Sequence, residues 1–145
     1  MYGTNFSIIY KNIMKISTKG RYALAIMLDL AMNNPEEYIA LKDIATRQEI
    51  SIKYLEKIIA ILNKAGYVKS SRGNAGGYKL ARKPDEYKVG DILRTAEGDL
   101  APTTCVQEGC HKQDSCLTYS FWQGLDNAIE NYVDSKTLED LIKNR

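Results

Sequence analysis

The sequence predicts a mainly α-helical chain with a small β-hairpin wing, a winged helix-turn-helix followed by a long dimerisation helix. Three observations carry this expectation. Two segments with helical apolar spacing, "IALKDIATRQEIS" and "SIKYLEKIIAILNKAG", are separated by about four residues and a tight turn near Glu49. A Gly-rich turn then joins two short strand-like runs in "GYVKSSRGNAGGYKLARKP". Near the end, "LTYSFWQGLDNAIENYVDSKTLEDLI" repeats apolar residues at helical intervals and starts with a rich aromatic cluster.

Taken in order, the first residues lack the apolar run and the A-x-A-like site of a signal peptide. Residues 1–13 are read as an N-terminal tail, since Met14 stands just before the first strongly patterned segment. In "STKGRYALAIMLDLAMNN" a Ser/Thr pair is suited to cap a helix, and Tyr22, Leu24, Ala25, Ile26, Leu28, Leu30 and Ala31 form its apolar stripe. Leu41, Ile44 and Ala45 give the next helix an inward face. Ser51 is a good N-cap for the helix after it, in which Leu55, Ile58, Ile59 and Leu62 face inward and Gly66 ends the run. Gly73, Gly76 and Gly77 supply the turn of the hairpin, with Tyr67, Val68, Tyr78 and Leu80 in its strands. These elements make residues 14–83 a winged helix-turn-helix domain.

The polar residues Ser51, Lys53, Tyr54, Glu56 and Lys57 gather at the N-terminal end of the second helix, the end that enters the major groove in proteins of this architecture. Arg72 sits at the wing tip among small residues, placed to approach a phosphate or a minor groove. Lys69, Lys79, Arg82 and Lys83 surround it with positive charge. The charge distribution agrees. Residues 1–83 carry 14 Lys or Arg against 6 Asp or Glu, a balance of +8, and residues 84–145 carry 6 against 12, a balance of −6. A basic first half points to a polyanionic partner, here double-stranded operator DNA. No strand–GxxxxGK[ST]–helix pattern is present, which excludes that type of nucleotide site.

Beyond Pro84, residues 84–100 read as a connecting helix, with Val89, Ile92 and Leu93 inward and Gly98 at its end. Residues 118–145 read as the dimerisation helix and a short last helix. Leu117, Phe121, Trp122, Leu125, Ile129 and Val133 make the long helix too apolar to stand alone, and pairing with its twin in a homodimer covers it. A break is expected at Asn131–Ser135, after which Leu138, Leu141 and Ile142 pack back. No apolar run approaches the roughly 20 residues of a membrane span. With no export signal, the expected compartment is the reducing cytoplasm, where clustered cysteines point to metal or redox chemistry.

All three cysteines and the only histidine fall in "CVQEGCHKQDSC", within the loop 101–117. The spacing C-x4-C-x5-C supplies three thiolates, at Cys105, Cys110 and Cys116, and lacks a fourth cysteine. Iron–sulfur clusters are held mainly by thiolates, and a histidine or carboxylate is able to complete the set. His111, Glu108, Asp114 and Tyr119 are the candidates for that position. A redox enzyme would need a C-x-x-C pair or a base beside a nucleophile, and neither is seen.

The runs "MKISTKGRYALAIMLDLA", "ISIKYLEKIIAILNKAGYVKSSRGNAGGYKLAR" and "CLTYSFWQGLDNAIENYVDSKTLEDLI" resemble the winged-helix repressors of the IscR, NsrR and CymR family, from Met14 to about Lys143. The resemblance implies a homodimeric bacterial transcription regulator with crossed long helices. It implies DNA contacts at Glu56 and Arg72. It also implies ligand roles for Cys105, Cys110 and Cys116 on an iron–sulfur cluster, [2Fe-2S] or [4Fe-4S]. This chain departs from the pattern in four places. Tyr119 stands where IscR-like proteins have a ligand histidine, and Arg21 where NsrR-like proteins have an aspartate. The first cysteine spacing is one residue shorter, and Glu49 replaces a frequent turn glycine. The fourth ligand and the cluster type are therefore open, with His111 as one replacement. CymR-like relatives lack the cysteines and sense cysteine supply through a partner enzyme. Such a regulator, its cysteines incidental or a thiol switch, is the alternative.

Overall fold

The computed structural model describes residues 16–33 and 35–144 of the 145-residue chain, so the N-terminal tail assigned to residues 1–13 lies outside the described residues. Helix α1 (Thr18–Met32) runs through the centre of the core, where Ala23, Ile26, Met27 and Leu30 are fully buried. Its neighbours are α2 (Leu41–Gln48) and α3 (Ile52–Lys64), which contribute Ile44, Leu55, Ile58, Ile59 and Leu62. The alternation of these apolar residues at three- and four-residue intervals places them on one face of each helix.

The turn between α2 and α3 is left-handed at Glu49 (φ 53°, ψ 41°), the only positive-φ residue other than glycine among the described residues. Such a backbone costs an ordinary L-residue about 1 kcal/mol. Glu49→Gly is therefore expected to raise stability by about 1 kcal/mol, seen as a higher urea midpoint at unchanged slope. A lower midpoint would mean that the glutamate side chain holds the turn.

After α3, Gly66 adopts φ 77° and Tyr67 N–H donates to the Leu62 carbonyl (3.0 Å), closing the helix. Strands β1 (Val68–Ser71) and β2 (Gly77–Leu80) then pair antiparallel, Val68 opposite Leu80 and Ser71 opposite Gly77. This is the expected wing. It has a third partner that the sequence pattern does not announce. Ile39, in the link between α1 and α2, exchanges both backbone bonds with Tyr78 (2.8 and 2.9 Å).

A 3-10 turn at Pro84–Glu86 leads to α4 (Val89–Glu97), which ends at Gly98 as expected. Buried Tyr87 donates its hydroxyl proton to the Tyr67 carbonyl (2.7 Å) and accepts from Arg82 N–H (2.9 Å), tying this connection to the wing. Next come a short helix α5 (Thr104–Glu108), the long α6 (Tyr119–Asp134) and α7 (Leu138–Lys143). The break expected at Asn131–Ser135 falls at its end, where α6 stops at Asp134 and Ser135 is the C-cap. One detail differs from the sequence reading. Part of the cysteine loop is helical, with Cys105 inside α5.

The last helix packs back on the winged unit. Leu138 is fully buried in the main core, and Thr137 and Asp140 cap α7 reciprocally (2.9 and 3.1 Å). A second apolar cluster of Val89, Leu93 and Leu100 receives Ile129 and Val133 from α6 and Leu141 from α7. The other side of α6 is open. Phe121 and Tyr132 are 64% and 67% exposed, and Leu117 just before the helix is 97% exposed. Among the described residues, no helix is long and apolar enough to cross a membrane.

Candidate nucleic-acid interface and cysteine loop

The leading end of α3 is built as its sequence suggests. Ser51 is the N-cap and its hydroxyl oxygen accepts from Tyr54 N–H (3.2 Å), which satisfies one of the helix's free donors. Lys53, Glu56 and Lys57 are exposed beside it. Tyr54 is different. Its ring is half-buried against the core and meets Tyr22 edge-on (centroids 5.8 Å, 77°), so it props α3 on α1.

On the wing, Lys69 and Arg72 are exposed, and neither they nor Lys53 and Lys57 take part in an ion pair among the described residues. Gly73, next to Arg72, has φ 102°. Lys79 lies over the Tyr38 ring (4.8 Å), and the Arg82 guanidinium lies over Tyr87 (4.8 Å) and Tyr67 (5.6 Å). The charges of Lys53, Lys57, Lys69 and Arg72 are thus free for an external anion, whereas Arg82 is spent partly on packing.

Two internal anchors hold this face. Asp29 is buried in α1 and accepts from Arg47 Nε (3.0 Å), Arg47 Nη2 (2.7 Å) and Gln48 Nε2 (2.9 Å) at the end of α2. The hydrogen bonds that Arg47 donates to Asp29 hold its guanidinium above the usual range, burial opposing and the charges of Asp29 and Asp43 adding. The second anchor corrects the expected helix start. Ser17 occupies the N-cap of α1 but its side chain does not cap it. Instead one oxygen of Glu97, from the last turn of α4, accepts from Ser17 Oγ (2.5 Å), Ser17 N–H (3.0 Å) and Gly20 N–H (2.8 Å). A carboxylate suits the positive end of a helix. Neither anchor has a local signal, since the partners lie 18 and about 80 residues apart. An aspartate inside the apolar stripe "LDLA" is the one hint.

The cysteine loop sits at the start of α6. Cys105 and Cys110 are partly exposed, Cys116 is exposed, and all three are free thiols. Lys112 N–H donates to Cys110 Sγ (3.4 Å), and the Thr118 hydroxyl lies 3.4 Å from Cys116 Sγ. The Cys116 thiol is pushed below its ordinary range, first by the Thr118 hydroxyl and then by backbone N–H groups of Thr118 and Tyr119, with Lys112 adding its charge. These are donors that a thiolate ligand needs. The sulfurs are not gathered, however, and no three His, Cys, Asp or Glu side chains of the described residues converge on one point fit for a metal ion. His111, Glu108 and Asp114 are exposed, and Tyr119 is half-buried. The loop therefore has the donor chemistry of an iron–sulfur site but not, in this conformation, its convergence.

Beside the apolar contacts of Ile129 and Val133, one cation joins the loop's helix to the winged unit. Arg94 of α4 forms two bonds to Asp134 (2.8 and 2.9 Å), one to Glu130 on α6, and a longer one to Asp91 (3.3 Å). Asp134 is held below the usual carboxylate range, first by hydrogen bonds from Arg94, with burial opposing and the charges of Arg94 and Lys88 adding. A carboxyl depressed in the fold adds stability above about pH 4, and that stability is lost as pH falls through the folded-state value. Because both side chains are about one-third exposed, solvent screening limits the effect. Asp134→Asn is expected to cost about 1 kcal/mol at pH 7, with the gap to wild type closing as pH falls below about 4 in urea unfolding. A gap that persists unchanged at pH 2 would exclude the ion pair as its source.

A capped helix whose leading end is polar, a basic wing behind it and a long appended helix define a winged-helix transcription regulator. The comparisons agree. The model of the Rrf2 family, described as iron-dependent transcriptional regulators, matches residues 16–144. The chain belongs to this family, and it is a transcription regulator, not an enzyme. Protein rrf2 of Nitratidesulfovibrio vulgaris is 42% identical over 132 residues, covering 90% of this chain and 88% of that protein. The solved structure of T. potens IscR is 47% identical with a TM-score of 0.74, over 90% of this chain and 87% of that one. That of CymR, the global cysteine regulator of B. subtilis, is 39% identical with a TM-score of 0.76, over 90% and 98%.

Proposed function

We propose that the chain acts in the cytoplasm as a homodimeric regulator that binds operator DNA and reports iron–sulfur or redox status through its cysteine loop. Ser51, Lys53, Tyr54, Glu56 and Lys57 would face the major groove, with Lys69 and Arg72 on the adjoining backbone or minor groove. Two copies would pair through the open side of α6, where Phe121 and Tyr132 are exposed. Cys105, Cys110 and Cys116 would hold the cluster, whose assembly state would supply the signal. The observation that carries this reading is the placement of three free thiols on the loop leading into α6, the helix that Arg94 ties to the winged unit. Genes of iron–sulfur assembly or cysteine metabolism are the expected targets.

Anaerobic purification with iron and sulfide analysis and an absorbance spectrum tests the cluster. The expected protein is coloured, carries iron and sulfide together, and loses both in Cys116→Ala. Its binding to operator duplex should fall steeply with salt, and Arg72→Ala should lessen that slope by about one unit. A colourless, iron-free protein with normal operator binding would overturn the sensing part. That outcome belongs to a second reading, a CymR-like repressor whose cysteines are incidental or a thiol switch, acting with a metabolic-enzyme partner. The similarity to the CymR structure supports it. Replacing all three cysteines with Ala would leave regulation intact if they are incidental and abolish it if they are a thiol switch.

A further inference from the structure

The first turn of α3 holds one residue that no role above explains. Ile52, the first helical residue after the Ser51 cap, is 49% exposed. Its apolar neighbours in sequence are accounted for, because Ile50 and Tyr54 pack on the main core. Ile52 is absent from that core, and Leu55, Ile58, Ile59 and Leu62 already fill it. Single exposed apolar residues are ordinary on protein surfaces. The position of this one is what matters. Side chains of a helix lean toward its N-terminus, so Ile52 overhangs the leading end, between Ser51, Lys53 and Glu56.

In a major groove the base edges offer hydrogen-bond donors and acceptors and one apolar group, the C5-methyl of thymine. A branched hydrocarbon pressed against any other edge would strip water from polar atoms without replacing their hydrogen bonds. We infer that Ile52 is a specificity-determining residue that selects a thymine in each operator half-site by contact with its methyl group. This rests on the proposed reading that α3 lies in the major groove. It adds an apolar element to a helix end whose other exposed residues are polar or charged, and it makes that element discriminate thymine from cytosine, which has no methyl there.

The test uses the full chain and duplexes that it enriches from a randomised pool. Each thymine of the enriched duplex is replaced in turn by deoxyuridine, which removes only the methyl. At one thymine per half-site the wild type should bind about four-fold more weakly, the equivalent of one buried methyl-sized group. Ile52→Ala should bind the thymine and deoxyuridine duplexes equally at that position, and this variant should fold normally by circular dichroism because the site is exposed. The comparison between proteins removes any effect of the methyl on duplex stiffness. An unchanged thymine preference in Ile52→Ala, or no thymine that matters, overturns the inference while leaving the helix in the groove. No enriched duplex, or full affinity in both Lys53→Ala and Arg72→Ala, overturns the groove reading itself and the inference with it.

Discussion

Asp29→Ala is expected to lower stability by about 3 kcal/mol and to weaken operator binding with it. The Asp29 side chain is 1% exposed and accepts three hydrogen bonds, two of them from one guanidinium. Hydrogen bonds to charged groups contribute about 1.5–3 kcal/mol each when measured singly, and they do not add in full. Breaking a fully buried ion pair costs about 3–5 kcal/mol because a charge is left stranded. Arg47 is 38% exposed and is able to turn to solvent, so the lower end of that range applies. The lost bonds join α1 to the last turn of α2, directly before the left-handed Glu49. Helix α3 should therefore lose its fixed angle to α1 even where the chain stays folded. Urea unfolding gives the first quantity and duplex titration the second. A loss below about 1 kcal/mol, with unchanged DNA affinity, would show that the carboxylate is not an anchor.

Gly77→Ala is expected to detach the wing. A Cβ at this position would lie 2.1 Å from the Ile39 carbonyl oxygen and 2.4 Å from its carbon, and both are backbone atoms that no rotamer moves. The pair of bonds between Ile39 and Tyr78 should be lost, at about 2–3 kcal/mol. Gly73→Ala is the control. Nothing lies within 4 Å of its Cβ position, so only the positive φ is penalised, by about 1 kcal/mol. Amide hydrogen exchange reads the difference at two residues. Ile39 and Tyr78 should exchange rapidly in Gly77→Ala and slowly in Gly73→Ala. Slow exchange in both would place the wing's attachment elsewhere.

Much of the fold was legible because its signals are local. The helical spacing of Leu55, Ile58, Ile59 and Leu62, the Ser51 cap, the glycines of the wing and the stop at Gly98 each need only a few neighbouring residues to be read. The third edge of the wing, the Asp29 anchor and the Glu97 cap escaped because each joins segments distant in sequence. The place of Tyr54 beside Lys53 marks it as a polar groove-facing residue, and its ring also packs on Tyr22, a contact between helices that no local pattern announces. At the cysteine loop the residue types were legible but their gathering was not. Spacing constrains where three sulfurs are able to go, while the hydrogen bonds around Cys110 and Cys116 describe where they are.

Glu97 joins α4 to α1, Asp29 joins α1 to α2, and Gly77 seats the wing on the link between those two helices. These contacts tie the helices and the wing into one block. On the proposed reading, a push arriving along α6 would pass through the Ile129 and Val133 contacts and Arg94 to a unit that tilts whole, much as a calliper arm turns without bending its jaw. In a paired regulator the letters read by each arm would then be constant, and only the gap between the arms would answer the signal. Mutations that retune the gap should accordingly collect at Arg94, Glu130 and Asp134, and those that retune the letters at the leading turn of α3.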